Sequence, residues 1–513
     1  MRSLGAIVLA FAVLAMAACG GGSAHRMSSG GNQIPAIPFT NCVPGGTGIP
    51  CTFWGIQVNK LSSYPVQVPY GQFRGWDSGN ANWPEIAKTC LASSGPTDPC
   101  FNWSNLDTEL ADVKQQNVND VFYTLSRTPP WAVTAQEDAD PNCNYFKLGP
   151  ASQGACYPPV DLNPDGTGAN QTWRNWVAAI AGHVNNSTYT QTHAHIKYWE
   201  IWNEFSRSSI LENAPPNWSF QGTYNQLVRL AEDTRCIIAG TGAVTITGET
   251  CAQVLLTVGL QAAADPNAVI VAPSVAGEST DAIENFLHCD HNPKATCTTG
   301  DAGFNAVDII DVHLYVDSTT PEDVVANKLP AVRLLAGGKP IWNGEGSWGN
   351  TSSANNIWQN DANARAGLIA RYFALYWSAG ITESFWYGYD FVDIGELFDP
   401  KAGQLVQPEA NAWILTYNWL AHAVPTNVPF CQNTGTVYNC DFTSASGAHD
   451  SLVWDSSFGQ NCSAMAVPII CGTTAYAVPA QFNKDWVDLT GATHAAATSV
   501  TIGANPILLE GVP

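Results

Sequence analysis

Residues 195–205 read His195-Ile196-Lys197-Tyr198-Trp199-Glu200-Ile201-Trp202-Asn203-Glu204-Phe205, an aromatic and β-branched run that ends on an amide and an acid. The run predicts a strand, and its polar end marks where that strand meets solvent. Side chains alternate along a strand, so Glu200, Trp202 and Glu204 point one way while Ile201 and Asn203 point the other. Presenting Asn203 and Glu204 together therefore demands a break in the pattern at the strand's tip. Seven further runs share this grammar, at 53–58 (FWGIQV), 70–76 (YGQFRGW), 120–126 (DVFYTLS), 268–274 (AVIVAPS), 307–315 (VDIIDVHLY), 339–345 (KPIWNGE) and 381–389 (ITESFWYGY).

Helix-like segments lie between the runs. Trp173, Trp176, Val177, Ile180 and Val184 recur at helical spacing, and residues 321–337, 364–380 and 408–423 are similarly amphipathic. Eight strands alternating with helices predict an α/β chain folded as a (β/α)8 TIM barrel over residues 51–424. A doubly wound open sheet is the alternative, but no GxGxxG opens a helix to support nucleotide binding. After Pro425 the helical period stops. Short alternating runs separated by Gly, Asn and Ser then predict a C-terminal antiparallel β-sandwich over 425–513.

The amino end is of another kind. Met1-Arg2, an apolar run from Leu4 to Met16 and Ala17-Ala18-Cys19 read as an export signal over 1–19. Small residues directly before a cysteine resemble a bacterial lipoprotein signal, with Cys19 lipidated; ordinary secretion is the alternative. Residues 20–50, rich in Gly, Ser, Pro and Asn, read as a flexible tether. The remaining 14 of 15 cysteines fall into seven neighbouring pairs: Cys42 with Cys51, Cys90 with Cys100, Cys143 with Cys156, Cys236 with Cys251, Cys289 with Cys297, Cys431 with Cys440, and Cys462 with Cys471. Seven local disulfides in an oxidising compartment follow, since no CxxC pair suggests metal. A net charge of −22 argues against nucleic acid, and no later apolar run spans a bilayer. The expected protein is an exported monomer in the bacterial cell envelope or secreted, touching membrane only through a lipid anchor.

A second strand tip, Trp342-Asn343-Gly344-Glu345-Gly346-Ser347-Trp348, also ends on an acid flanked by tryptophan. Charged residues are only 12 % of the chain, yet two carboxylates end two strands amid aromatic rings. That pattern suits glycosidic chemistry, where one carboxylate attacks the anomeric carbon and one carboxylic acid protonates the departing oxygen. Asn203-Glu204 and Glu345 resemble the paired glutamates of clan A glycoside hydrolases, with family 39 the best match and families 5 and 30 open. The resemblance implies Glu204 as acid/base, Glu345 as nucleophile and Asn203 as donor to the substrate's 2-hydroxyl. It further implies that Arg74 bonds the nucleophile, that His313 and Tyr315 on the sixth strand line the site, and that Trp386 lies under the substrate.

Trp348, beside the second tip, is read as another ring platform. Glu345 should be ionised, aided by Arg74 and Tyr315, and Glu204 protonated in an apolar, anionic setting. Glu200 reads as a buried structural acid, and Asp390, Asp393 and Glu396 as a loop cluster. The expected activity is hydrolysis of a β-linked poly- or oligosaccharide without metal or cofactor. The rival is a polysaccharide-binding surface lipoprotein lacking turnover, which needs neither glutamate. Loops at 133–170 and 236–265 would set specificity.

Overall fold

The computed structural model describes residues 37–76, 78–140, 156–206, 219–277, 279–289, 297–457, 471–472, 474–482 and 484–511. The expected signal, Cys19, Asp77, Cys143 and Cys462 lie outside them. Eight parallel strands carry the expected runs: β1 (Trp54–Gln57), β2 (Gln72–Gly75), β3 (Asp120–Thr124), β4 (His195–Glu200), β5 (Val269–Val271, resuming at Val275–Ala276), β6 (Ile310–His313), β7 (Ile341–Gly346) and β8 (Ile381–Tyr387). Each pairs with its sequence neighbour, and β1 pairs in parallel with β8 from Trp54↔Ser384 to Gln57↔Tyr387. That last pairing closes the ring as a barrel.

The weak point of the ring is β5. Its first piece pairs with β4, its second with β6, and a single bridge, Val271↔Ile309, joins the first piece to the β6 side. Ala272, Pro273 and Ser274 fill the gap; a proline has no N–H to give to a ladder, so the strand cannot run straight through. The break matters because Ser274 is thereby freed to face the tip of β4.

Inside the barrel, Phe122, Val271, Ile309, Trp342 and Phe385 form a buried apolar floor. The Arg74 guanidinium lies 5.3 Å from the Phe122 ring centre and starts a polar layer above that floor. Outside, helix Gln171–Val184 buries the expected stripe, and helices Ala362–Ser378 and Glu409–Leu420 stack Phe373 and Trp413 against β8. The segment read as a long loop at 236–265 is ordered instead. Helices Tyr224–Ile238 and Cys251–Thr257 flank a short hairpin there, Ala243–Val244 paired with Glu249–Thr250, and each helix is opened by a Thr-x-x-Gln capping box, Thr223 with Gln226 and Thr250 with Gln253.

From Val424 onward the described strands are antiparallel, in a seven-stranded sheet and a two-stranded one. Val453, Ile507 and Leu509 of the larger sheet meet Val500 and Ile502 of the smaller in one apolar cluster, which makes a sandwich. It docks closely on helix Ala362–Ser378, where a Cβ at Gly367 would collide with Asn505 Oδ1. Beside it Trp454 Nε1 donates to Glu322 Oε1 at 2.8 Å, and Glu322 holds the buried Arg371.

The cysteines pair locally, as their spacing suggests. Five of the expected disulfides are formed among the described residues: Cys42 bonds Cys51, Cys90 bonds Cys100, Cys236 bonds Cys251, Cys289 bonds Cys297, and Cys431 bonds Cys440. Cys156 and Cys471 are also disulfide-bonded. Cys51 opens the turn that leads into β1, Cys100 and Cys297 are half-buried in loops, and Cys440 lies opposite Cys431 in the sandwich ladder.

Near the start of β8, Thr52 Oγ1 donates to Glu383 Oε1 at 3.2 Å, while the buried Oε2 accepts no hydrogen bond among the described residues. Burial pushes this carboxyl up to about 8, against the smaller pull of the Thr52 bond and Lys197. Its pKa in the fold thus exceeds the ordinary 4.5, so the protonated form stabilises the fold below 4.5 and that stability is lost as pH rises toward 8. Glu383→Gln is expected to match the wild-type Tm near pH 4 and to exceed it by a few degrees at about pH 8 in calorimetry. A gap that does not widen with pH would contradict the assignment.

Candidate active site

The two strand tips are shaped by departures from regular backbone. After β4, Glu204 adopts φ +48°, a left-handed conformation unfavourable for a residue with a side chain. The expected break in alternation is therefore real, and it turns Glu204 toward the barrel axis beside Asn203. Ser274, from the gap in β5, holds this turn: its Oγ accepts from Glu204 N at 2.9 Å, its carbonyl from Phe205 N at 3.0 Å, and its N–H reaches the Trp202 carbonyl at 2.9 Å. In β7 the pairing with β6 skips a residue between Asn343 and Glu345, a bulge at Gly344 that places Glu345 opposite His313.

Arg74, on β2 and fully buried, joins the parts. One guanidinium nitrogen, Nη1, donates to Glu345 Oε2 at 2.7 Å and to Gln57 Oε1 at 3.2 Å. The other, Nη2, donates to Glu200 Oε2 and to Asn203 Oδ1, both at 2.8 Å. Taking Oδ1 leaves the Asn203 Nδ2 as a hydrogen-bond donor. Glu200 also accepts from Thr124 Oγ1 and from Ser274 N. It is saturated by this network, matching its reading as a buried structural acid.

Glu345 receives a second bond from Tyr315 OH, at 2.5 Å to Oε1. Burial, and then the Glu345 charge, raise the Tyr315 phenol well above its ordinary value, so it stays a donor. His313 Nδ1 stands 3.1 Å from Glu204 Oε1 and 3.6 Å from Glu345 Oε2. One oxygen of each glutamate and a His313 nitrogen all lie within 4.8 Å of one another. Burial pushes the Glu345 carboxyl up; His313 and Arg74 oppose this, and Glu204 adds to it. The expectation of an ionised Glu345 thus meets a contest, in which desolvation prevails and His313, Arg74 and Tyr315 offset it only in part, leaving the carboxyl above its ordinary value.

The structure brings together Arg74, Asn203, Glu204, His313, Tyr315 and Glu345. It does not bring Trp348 and Trp386 to the mouth: they are 2 % and 0 % exposed, packed edge to face, with Trp386 Nε1 bonded to the Gly395 carbonyl. The reason is the alternation of β8, in which Phe385 lies in the barrel floor and Trp386 turns outward to the helices. Tyr387, the next residue, is half-buried and meets Tyr315 edge to face at 6.2 Å. Period two applied to β8 would have selected Tyr387. Gln57 and Ser274 were also missed, and no motif marks either. Asp390 ties loops rather than lying free in solvent, accepting from Asn59 N at 2.7 Å and Lys60 N at 2.9 Å.

Two trios, one of Glu200, Asp311 and His313 and one of Glu204, His313 and Glu345, have the donor atoms and closeness of metal ligands. In each, a glutamate is already bonded to the Arg74 cation at 2.8 or 2.7 Å, so a metal ion would have to sit beside a fixed positive charge.

No protein-family model matches the chain, nor does any curated protein. Among solved structures it is similar to a family 39 glycoside hydrolase from the gut symbiont Bacteroides cellulosilyticus WH2, with 11% identity and a TM-score of 0.53, over 90% of this chain and 81% of that one. It is also similar to SrfJ from Salmonella typhimurium, with 10% identity and a TM-score of 0.51, over 90% of this chain and 89% of that one. At such identities the shared property is the fold.

The left-handed backbone at Glu204 has a measurable cost. Glu204→Gly is expected to be more stable than Glu204→Ala by about 1 kcal/mol in denaturant titration, because glycine enters this region without strain. Equal stability, or a more stable alanine variant, would show that Glu204 is not held there.

Proposed function

We propose that this chain is a retaining glycoside hydrolase that cleaves β-linked oligo- or polysaccharide by double displacement. The observation that carries the reading is the Glu204–Glu345 pair, whose oxygens come within 4.8 Å across the axis of the barrel mouth. Retaining enzymes hold their two carboxyl groups about 5 Å apart, whereas inverting enzymes leave several ångströms more for a water. The surrounding hydrogen bonds treat the two acids differently, and this supports separate roles.

Glu345, gripped by Arg74 and Tyr315, has its carboxylate oriented for attack on the anomeric carbon. As that C–O bond forms, the bond to the leaving oxygen breaks and Glu204 delivers a proton to it. A glycosyl ester of Glu345 and a Glu204 carboxylate result. Glu204 then takes a proton from water, the hydroxide equivalent adds to the anomeric carbon, and the ester bond breaks to restore Glu345. Asn203 Nδ2 serves as donor to the 2-hydroxyl, and Tyr387 takes the place first given to Trp386 as the ring beside the sugar. The chemistry uses side chains alone. We further read the protein as an exported monomer tethered through Cys19, with carbohydrate as its partner.

The test is turnover on a panel of aryl β-glycosides and β-glycans, with azide as external nucleophile. Glu345→Ala is expected to be inert alone and to form the inverted glycosyl azide from an activated donor. Glu204→Ala is expected to lose roughly 10²–10⁴-fold and to recover with azide as the retained product. A wild type that binds a glycan without turning over anything in the panel would favour the binding protein instead.

A further inference from the structure

Four carboxyl groups converge beneath the barrel mouth, those of Glu200, Glu204, Asp311 and Glu345, each at least nine-tenths buried. Arg74 is placed among them from β2, and its hydrogen bonds go to Glu200, Glu345, Asn203 and Gln57. Asp311 is left with one bond, from Gly344 N to Oδ1 at 2.7 Å. Its Oδ2 is buried, accepts no hydrogen bond among the described residues, and faces His313 Nε2 at 3.9 Å. A carboxylate buried without a cation at hydrogen-bonding distance costs several kcal/mol, roughly, and the same group escapes that cost by keeping its proton.

The position is tightly built around this side chain. A Cβ on residue 344 would collide with Asp311 Oδ2, so only glycine lets β7 pass over the acid. The groups facing Asp311 are His313 from its own strand, Glu200 from β4, Glu345 and the Gly344 N–H from β7, and Arg74 from β2. Burial pushes its carboxyl well above the ordinary value, the Glu200 charge pushes further, and Arg74 opposes both.

We propose that Asp311 is a neutral carboxylic acid in the working enzyme, its Oδ2 proton facing His313 Nε2, so that the imidazole presents its Nδ1–H to Glu204. This rests on the glycosidase reading for its consequence, though not for its charge state. Asp311 is a positioning residue: it touches no substrate. At 3.9 Å no hydrogen bond joins Oδ2 to Nε2, but a protonated Oδ2 removes the anion that would draw the imidazole proton to Nε2 and so favours the tautomer whose Nδ1–H donates to Glu204 Oε1, 3.1 Å away. The Glu204 proton is thereby directed to the other oxygen, the one available to a leaving group. The neutral acid also keeps a further negative charge out of the layer in which Glu345 has to ionise.

Infrared difference spectroscopy of wild type minus Asp311→Asn tests the charge state without substrate. The expected result at neutral pH is the carbonyl band of a protonated carboxylic acid, lost in the variant; carboxylate bands in its place would overturn the proposal. Should the variant not fold, the same band sought in wild type carrying carbon-13 aspartate gives the answer, and no isotope-shifted acid band would overturn it. On an active substrate, Asp311→Asn mimics the neutral acid and should move the basic limb of kcat/KM by less than about 0.3 pH unit, whereas removal of a true carboxylate would move it by about one unit or more. An enzyme inert on every glycoside but showing the acid band would sink the function and leave the charge state standing.

Discussion

Arg74 is the constraint from which the rest of the site follows. A guanidinium cannot shed its proton inside a protein, so burying one obliges the fold to surround it with acceptors. Here they come from four places in the sequence: Gln57 on β1, Glu200 on β4, Asn203 beyond it and Glu345 on β7. The curled sheet puts those four within reach of one side chain. Burial disfavours the charge of Arg74, but the Glu200 and Glu345 carboxylates more than compensate and hold it cationic. The same cation sets the orientation of Glu345 and of the Asn203 amide.

Regular strands alone would not build this site. Period two sends Asn203 and Glu204 to opposite faces, and the correction is a left-handed residue clamped by Ser274. In β7 the correction is the Gly344 bulge, which sets Glu345 opposite His313. The first device uses a neighbouring strand's irregularity, since Ser274 is available only because Pro273 interrupts β5, whereas the second lies within β7 itself. Strain at the tips is thus supported by the barrel wall, the usual relation between a rigid scaffold and the loops it positions.

Much of this was legible from residues. The eight strand runs were dense in β-branched and aromatic side chains, so each was found to within a few positions, and the five described disulfides followed from cysteine proximity alone. The acids at 204 and 345 stood out because charge is scarce around them. Orientation was harder to read. Trp348 and Trp386 lie beside tips but face the core, and adjacency in sequence did not reveal on which side of β8 a ring would fall. Helix Tyr224–Ile238 escaped notice because it is buried on nearly every side, so that ions, with Arg229 and Arg174 both paired to Asp233, interrupt the apolar residues such as Leu227, Leu230 and Ile237 that also face the core. Ser274 and Asp311 act through single contacts between distant segments, which no local pattern encodes.

The most direct measurement of the central claim is to trap the enzyme with a 2-deoxy-2-fluoroglycoside bearing a good leaving group and to map the labelled peptide by mass spectrometry. The account expects one glycosyl unit bound through an ester to Glu345, formed in wild type and absent from Glu345→Ala. A label on another carboxylate, or turnover of that sugar with inversion and no adduct, would contradict it.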